Sequence, residues 1–297
     1  MRAPELSSAE ELPLVSIVTA VRNGSRYLSA LIESVVAQDY PRIEHIVIDD
    51  GSDDGGATIR VLQRYPHLRW WTRENQGQYA TQNEGLAAAT GSIVSVICGD
   101  DCYVTPGAVG LAVDHLLAHP EHGCVFGRTL DIGEDGDLLE AQTRIYGRLA
   151  ARLLRYHCTV LHCALFVRTD DLVEAGGMFD PWYRLAGDWE WMLRLKRNKV
   201  AFGHIDQPVA LFRVHDTQTS QNRDQLRLEE ETRRIFRIYG DNALARRSVG
   251  VFLDLHNLVL RAALSFRRGG PRALWADLRE WASRRFVGRW ESWTLRR

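Results

Sequence analysis

Four times between residues 14 and 119, a short apolar run gives way to turn residues and then to apolar residues at helical spacing. The runs are Leu14–Ala20, Glu44–Ile48, Leu68–Thr72 and Ser92–Ile97. Continuous apolar runs of this length suit strands buried on both faces. Between them, Leu28, Leu31, Ile32, Val35 and Val36 share one helical face, Ile59–Tyr65 reads as a further helix, the loop Glu74–Gln78 is followed by another to Ala89, and Gly91 stands as its C-cap. Thr105-Pro106 pairs an N-cap residue with proline at the first helical position, which starts a helix running to about His119. This alternation predicts an α/β fold with a mostly parallel sheet and right-handed crossovers.

The pattern then changes. Asp135-Gly136 reads as a hairpin turn, Leu161–Val167 and Val209–Val214 as strands, and Asp188–Arg197 as a helix. From Gln221 the chain reads as helices to the end, interrupted at Gly269-Gly270-Pro271.

In open α/β sheets the ligand crevice lies at the carboxyl ends of the strands. Two of the expected strands end there in paired acids, Asp49-Asp50 and Asp100-Asp101. Adjacent desolvated carboxylates repel, so a cation or a hydrogen-bond network is needed to keep both ionised. Magnesium and manganese accept one or two carboxylates together with phosphate oxygens. A carboxylate beside a diphosphate acts only through such a cation, whereas one facing a nucleobase accepts an N–H directly. Taken alone, Cys98-Gly99-Asp100-Asp101 also reads as an ordinary surface turn.

Bulk properties narrow the classes. The net charge of −1 over 297 residues gives no general pull toward nucleic acid. It hides an asymmetry: residues 241–297 hold 12 Arg against 5 acidic residues, a net of +7, which leaves −8 for residues 1–240. A basic tail on an acidic body suits an anionic partner, and a membrane surface is the first candidate. Met1–Pro13 has no apolar signal core, and no stretch approaches the ~18 apolar residues that span a bilayer. The expected setting is cytoplasmic, soluble or attached at the inner face of the plasma membrane. Five cysteines without a CxxC pair argue against a disulfide framework, and the His157-Cys158 and His162-Cys163 pairs read as core rather than zinc ligands.

The motifs in order are Val15–Asn23, Ile46–Gly55, Trp71–Tyr79 with Asn83-Glu-Gly85, Gly91–Tyr103, His162, Gly176–Asp180, Gly187–Leu195 and Phe212–His215. Together they resemble an inverting family 2 glycosyltransferase of the GT-A fold, of the kind that builds bacterial surface polysaccharides, over about residues 13–220. The resemblance implies a tail at 1–12, a catalytic domain at 13–221 and a helical extension at 222–297. Within the domain, 13–105 would be the nucleotide-sugar half and 106–221 the acceptor half. It implies a nucleotide-sugar donor, a UDP-sugar first, a saccharide or lipid-linked acceptor, and Mn2+ or Mg2+. Asp188 matches the catalytic base, with Gly187 where many members have Glu. Thr19 and Asp50 would contact the nucleoside, with Ala20, Arg22, Asn23, Gly51, Ser52, Gln78, Tyr79 and Asn83 also on the donor side. Asp100 and Asp101 occupy the Asp-Xaa-Asp region, one near the ribose and the other on the metal, with Asp101 preferred as ligand. Cys98 stands where many members have Asp or Asn.

His215 is a further candidate for the metal or the diphosphate, and His162, Trp182, Trp189 and Glu190 for the acceptor side. Plainer readings stand beside these: Asp188 as a helix cap, the histidines and tryptophans as core. In the tail, Leu244, Val251, Leu255, Leu258 and Leu264 fall partly at helical spacing. Trp275, Trp281, Trp290 and Trp293 alternate there with Arg272, Arg279, Arg284, Arg285 and Arg289. That mixture suits a lipid interface, a helical cap on the domain or a dimer contact, and nothing sets the oligomeric state. Rival functions are a non-catalytic nucleotide-sugar binder and a nucleotidyltransferase. An oxidoreductase is disfavoured because no GxGxxG follows the first strand.

Overall fold

The structure, a computed structural model, describes residues 12–139, 144–218, 224–240 and 242–294, the side chains of 265, 268, 269 and 273–294 excepted. Each of the four expected strand–helix pairings forms: β1 (Val15–Val21), α1 (Leu28–Val36), β2 (Ile43–Asp49), α2 (Ala57–Leu62), β3 (Arg69–Thr72), α3 (Gln78–Ala88) and β4 (Ile93–Val96). A short β5 (Cys102–Tyr103) precedes α4 (Ala108–Ala118). The second half adds β6 (Cys124–Ile132), α5 (Gly147–Leu153), β7 (Leu165–Arg168), α6 (Thr169–Glu174), α7 (Gly187–Arg197), β8 (Phe202–Arg213) and α8 (Gln225–Tyr239).

All eight strands join one sheet in the order β3-β2-β1-β4-β7-β6-β8-β5. Pairs β1–β2, β1–β4, β2–β3 and β6–β8 are parallel, whereas β7 runs antiparallel to both β4 and β6, and β5 antiparallel to β8. Direction therefore carries across the sheet. The carboxyl ends of β1, β2, β4, β6 and β8 share one edge with the amino end of β7, and that edge gathers the site. The core below it is aliphatic: Val15, Ile17, Leu28, Leu31, Ile32, Val47, Ile93, Val113, Val125 and Phe166 are buried in one cluster.

Several expectations are corrected. Helix α4 begins at Ala108 with Gly107 at its N-cap rather than at Thr105-Pro106, Ala89 rather than Gly91 caps α3, and Cys158 is exposed rather than in the core. The segment Leu161–Val167 is not strand throughout: residues 162–164 form a 3-10 turn, and the strand starts at Leu165. The strand expected at 209–214 begins at Phe202. The helical tail is not interrupted at Gly269-Gly270-Pro271, because α9 (Ala243–Thr294) carries Pro271 inside it, with Gly270 at φ +62. The hairpin turn at Asp135-Gly136 does form: Gly133 N–H donates to Asp137 O, and Ile132 bridges Leu138.

Among the described residues, those within 1–138 and 146–241 group into one compact unit, which includes α8. A second unit comprises 139–145 and 242–297 and is built on α9. The terminal tail at 1–11 and residue 221 lie outside the described residues, as do the side chains of Trp275, Trp281, Trp290, Trp293, Arg279, Arg284, Arg285 and Arg289. Among the described residues, no helix is long and apolar enough to cross a membrane.

Candidate active site

The Asp100-Asp101 turn leaves β4 and is held by the end of β8. Arg213 is 5% exposed and donates its backbone N–H to Asp101 Oδ1 at 3.0 Å. Its guanidinium donates from Nε to Asp100 O (3.0 Å) and from Nη1 to the carbonyls of Gly133 and Glu134. It also lies 4.6 Å over the Tyr27 ring. Buried charge is tolerated when every donor finds a partner, and here one arginine ties three segments together. Two residues on, His215 Nε2 lies 2.9 Å from Asp100 Oδ2, while Nδ1 meets Thr217 Oγ1 at 2.9 Å.

From the same turn a chain of polar contacts runs to α7. Cys98 Sγ is 3.4 Å from His162 Nε2, and His162 Nδ1 is 3.3 Å from Asp188 Oδ2. Burial first, then the carboxylates of Asp100, Asp101 and Asp188, push the Cys98 thiol well above its ordinary range. The thiol is therefore S–H and can donate to Nε2, which leaves Nδ1–H directed at Asp188. The other Asp188 oxygen accepts the Trp189 N–H at 2.8 Å and faces the Tyr79 hydroxyl at 3.5 Å. Asp188 thus bonds the next residue of its own helix, but the plainer reading as a cap is corrected: Ala186 is the N-cap of α7 and Asp188 lies one residue inside the helix.

Tyr79 explains glycine at 187. The Gly187 N–H donates to the Tyr79 hydroxyl at 3.0 Å, and a Cβ at 187 would lie 2.6–2.8 Å from three ring atoms. The phenol occupies the space a side chain at 187 would need. Glu231 of α8, fully buried, completes the frame by accepting the N–H groups of Arg184, Leu185 and Ala186 just before α7. Arg227 Nε adds a 2.8 Å ion pair to it.

The acids after β2 order loops. Asp50 accepts from Gln76 N, Gly77 N and Thr81 Oγ1 at 2.7–3.0 Å, which fixes the start of α3. Asp49 accepts from the Thr72 hydroxyl at 2.7 Å and from the Ser52 hydroxyl. Arg22 and Asn23 bind Asp53 from across the crevice lip, and Asn23 N–H donates to Ser52 Oγ. Gly51 sits at φ +71 with room for no Cβ against Asn75 N and Arg73 O.

Of the residues read from the sequence, Asp188, His162, Tyr79, Gln78 (through Cys98), Asp100, Asp101 and His215 form one connected set. Arg22, Asn23, Asp50, Gly51 and Ser52 form the neighbouring lip, with Ala20 half-buried below them on β1. Others turn into packing. Thr19 is fully buried with its hydroxyl 3.2 Å from His45 Nε2. Asn83 exchanges two hydrogen bonds with the backbone of Phe179. Trp189 donates to Leu154 O, and Glu190 is buried against Arg194 and the Tyr239 hydroxyl. The Trp182 ring lies between Arg227 and Arg234, at 4.2 and 4.1 Å. Sequence reasoning missed Arg213, although it lies within the quoted Phe212–His215 motif.

Ligand atoms of Cys98, Asp100 and Asp101 lie within 4.8 Å of one another. A protonated thiol is a poor ligand for a hard cation, but the two carboxylates suit one, and His215 orients Asp100 as outer partners of metal ligands do. The donor set fits a divalent ion held by Asp100 and Asp101.

Comparison with known proteins identifies the family and the fold. The family described as "Glycosyl transferase family 2" matches residues 16–177. An uncharacterized glycosyltransferase of Rickettsia conorii is 39% identical over 216 residues, 70% of this chain and 35% of that protein. Chondroitin synthase of Escherichia coli is 29% identical over 139 residues, 46% of this chain and 20% of that protein. The chain thus spans about a third or less of the length of these relatives. Among solved structures, residues 1–349 of S. aureus TarS in complex with UDP-GlcNAc superpose with a TM-score of 0.59 at 17% identity, covering 71% of this chain and 61% of that fragment. A mannosyltransferase of Pyrobaculum calidifontis in complex with GDP-Man and Mn2+ gives 0.56 at 18% identity, covering 99% and 87%. The fold is GT-A. The chain belongs to glycosyl transferase family 2.

Proposed function

We propose that this protein transfers a sugar from a nucleotide sugar, a UDP-sugar, to a hydroxyl of a saccharide or lipid-linked acceptor with inversion at the anomeric carbon, in assembly of a surface polysaccharide. The observation that carries the reading is the run of contacts from Asp188 through His162 to Cys98, whose carbonyl accepts the Asp101 N–H and whose thiol lies within 4.8 Å of the Asp100 and Asp101 carboxylates. This supports a reading in which Asp188 serves the acceptor side and the Asp100-Asp101 pair would take a cation at the carboxyl edge of a GT-A sheet. The nucleotide sugars bound by TarS and by the archaeal mannosyltransferase support a donor of this class.

Single displacement needs a base on the acceptor face. Asp188 takes the acceptor proton as the new glycosidic bond forms, while His162 and the Trp189 N–H fix both its oxygens. Asp100 and Asp101 would hold Mn2+ or Mg2+, which when bound neutralises charge on the leaving diphosphate. Arg213 and His215 keep those carboxylates in place. Asp50 and the Gln76–Gly77 backbone shape the nucleoside pocket. The net +7 of residues 241–297 favours an acceptor at an anionic membrane surface.

The test is a panel of nucleotide sugars offered to the purified protein with Mn2+, Mg2+ or chelator, read by calorimetry and by nucleotide release. Metal-dependent binding of one donor, with slow hydrolysis or transfer and an inverted anomer by NMR, is the expected result. Retention of configuration would overturn the single-displacement chemistry. Binding of no nucleotide sugar would overturn the site, and binding without turnover in the presence of acceptor extracts would favour a non-catalytic binder.

A further inference from the structure

At the edge of the sheet opposite the active site, four histidines gather where β6 and β8 begin. His115 lies in the last turn of α4, His119 caps that helix, His122 follows in a tight turn whose N–H donates to His119 O, and His204 opens β8. The His115 and His122 rings stack, and the His119 ring is tilted against both, with centroids 4.6–5.2 Å apart. His115 Nε2 is 3.0 Å from His122 Nδ1. Gly203 makes this closeness feasible, since a Cβ there would lie 2.4 Å from His115 Nε2 and 2.8 Å from His122 Nδ1.

Glu121 completes the group. Its Oε1 lies 3.2 Å from His119 Nδ1 and 4.0 Å from His122 Nε2. Ligand atoms of His119, Glu121 and His122 all fall within 4.8 Å of one another. Tetrahedral zinc with bonds of ~2.0–2.1 Å to nitrogen and oxygen sets its ligands ~3.3 Å apart. Of the three pairs, His119–Glu121 already has that spacing, Glu121, which is mostly exposed, can close on His122, and the two imidazoles lie within 4.8 Å of each other.

We propose that His119, Glu121 and His122 bind a zinc ion, oriented from behind by His115. The chemistry of the cluster selects a transition metal over its rivals. A hydrogen bond between two imidazole nitrogens needs a lone pair on one of them, so His115 and His122 are not both protonated. His115 Nε2 and His122 Nδ1 share that contact at 3.0 Å, which leaves the other nitrogen of the His122 ring, Nε2, on the Glu121 side. A mixed imidazole–carboxylate set suits zinc, whereas magnesium and calcium prefer oxygen alone. An anion instead of a metal would have to sit against the Glu121 carboxylate. His119 and His122 line a cavity of about 530 Å³ with Arg148, Arg152 and Lys196. The fourth position on zinc therefore suits water or an anion drawn by those cations. The ion would clip the end of α4 to the start of β6, far from the donor crevice.

The experiment uses the full chain without a histidine tag, stripped with chelator and titrated with zinc against a chromophoric competitor, then with Co2+ for its visible spectrum. The expected result is one tightly held zinc per chain at this site and an intense tetrahedral Co2+ absorption. His119→Ala and His122→Ala should each weaken that binding by more than about tenfold, and His115→Ala by about tenfold to a hundredfold. Asp101→Asn, which alters the donor-side carboxylates, should leave it unchanged. His119 is half-exposed, so His119→Ala is expected to keep the fold, which circular dichroism checks. No zinc binding by the wild type, equal binding by His119→Ala and His122→Ala, or loss only in Asp101→Asn would overturn the site. So would phosphate binding weakened by His119→Ala with no zinc binding.

Discussion

His162 Nδ1 stands 3.3 Å from Asp188 Oδ2, and its other ring nitrogen stands 3.4 Å from the Cys98 thiol. The imidazole therefore positions the carboxylate that the proposed chemistry uses as base. Asp188→Asn keeps the shape and removes the basicity. It should lower kcat by about 10²- to 10⁴-fold with donor affinity unchanged. His162→Ala should lower kcat less and leave donor binding intact. Steady-state kinetics beside calorimetry with the donor checks both. If Asp188→Asn weakens donor binding as much as turnover, Asp188 is a binding residue and not the base.

The turn at Asp100-Asp101 predicts a separable effect of charge and fold. Asp101→Ala removes the acceptor for the buried Arg213 N–H and should cost about 1–3 kcal/mol of stability. Asp101→Asn keeps an oxygen in that place and should stay near wild-type stability, yet lose the metal-dependent part of donor binding. Urea titrations paired with UDP binding in Mn2+ and in chelator measure the two losses apart. Equal donor binding in Mn2+ by wild type and Asp101→Asn would remove Asp101 from the metal site.

The first half of the fold was legible because β1, β2 and β4 are mostly buried on both faces and read as largely apolar runs, with only small or isolated polar residues such as Ser16, His45 and Ser95 among them. The strand β6 was not, since Gly127, Arg128 and Asp131 break its apolar pattern, and a register shift at Phe126–Arg128 absorbs the irregularity. Pro208 and polar residues hid the first half of β8 in the same way. At 162–164 the chain turns as a 3-10 helix before the strand, in the stretch that brings His162 to Asp188. Asp100, Asp188 and His215 stood out because motif order marks them. The partnerships of Arg213 with Asp101, and of Glu231 with the backbone before α7, join segments far apart in sequence, and only the packed sheet makes them neighbours.

Tyr79 and Gly187 form a coupled pair. Gly187→Ala places a methyl into the phenol ring and should destabilise by about 1–3 kcal/mol. Tyr79→Phe leaves the Gly187 N–H without its acceptor and should cost a similar amount. In Tyr79→Ala the ring is gone, so adding Gly187→Ala should then cost little. A double-mutant cycle by denaturant unfolding reads the coupling. Additive losses would show that the ring does not determine what fits at 187.

His45 gives the fold a pH dependence independent of the active site. It lies buried on β2 against the Thr19 hydroxyl, and burial, with a smaller contribution from His67, lowers its pKa to about 3. The unfolded chain takes up a proton near pH 6.5 while the folded chain does not. Stability contributed by neutral His45 is thus complete above about 6.5 and falls as the pH drops toward 3. From pH 7 to pH 5 the loss from this residue alone should be about 2 kcal/mol. His45→Gln, which cannot titrate, should show a correspondingly shallower decline in unfolding free energy over that interval, whatever its stability at pH 7. Parallel declines for the two proteins would mean that His45 gains its proton in the folded state as readily as in the unfolded one.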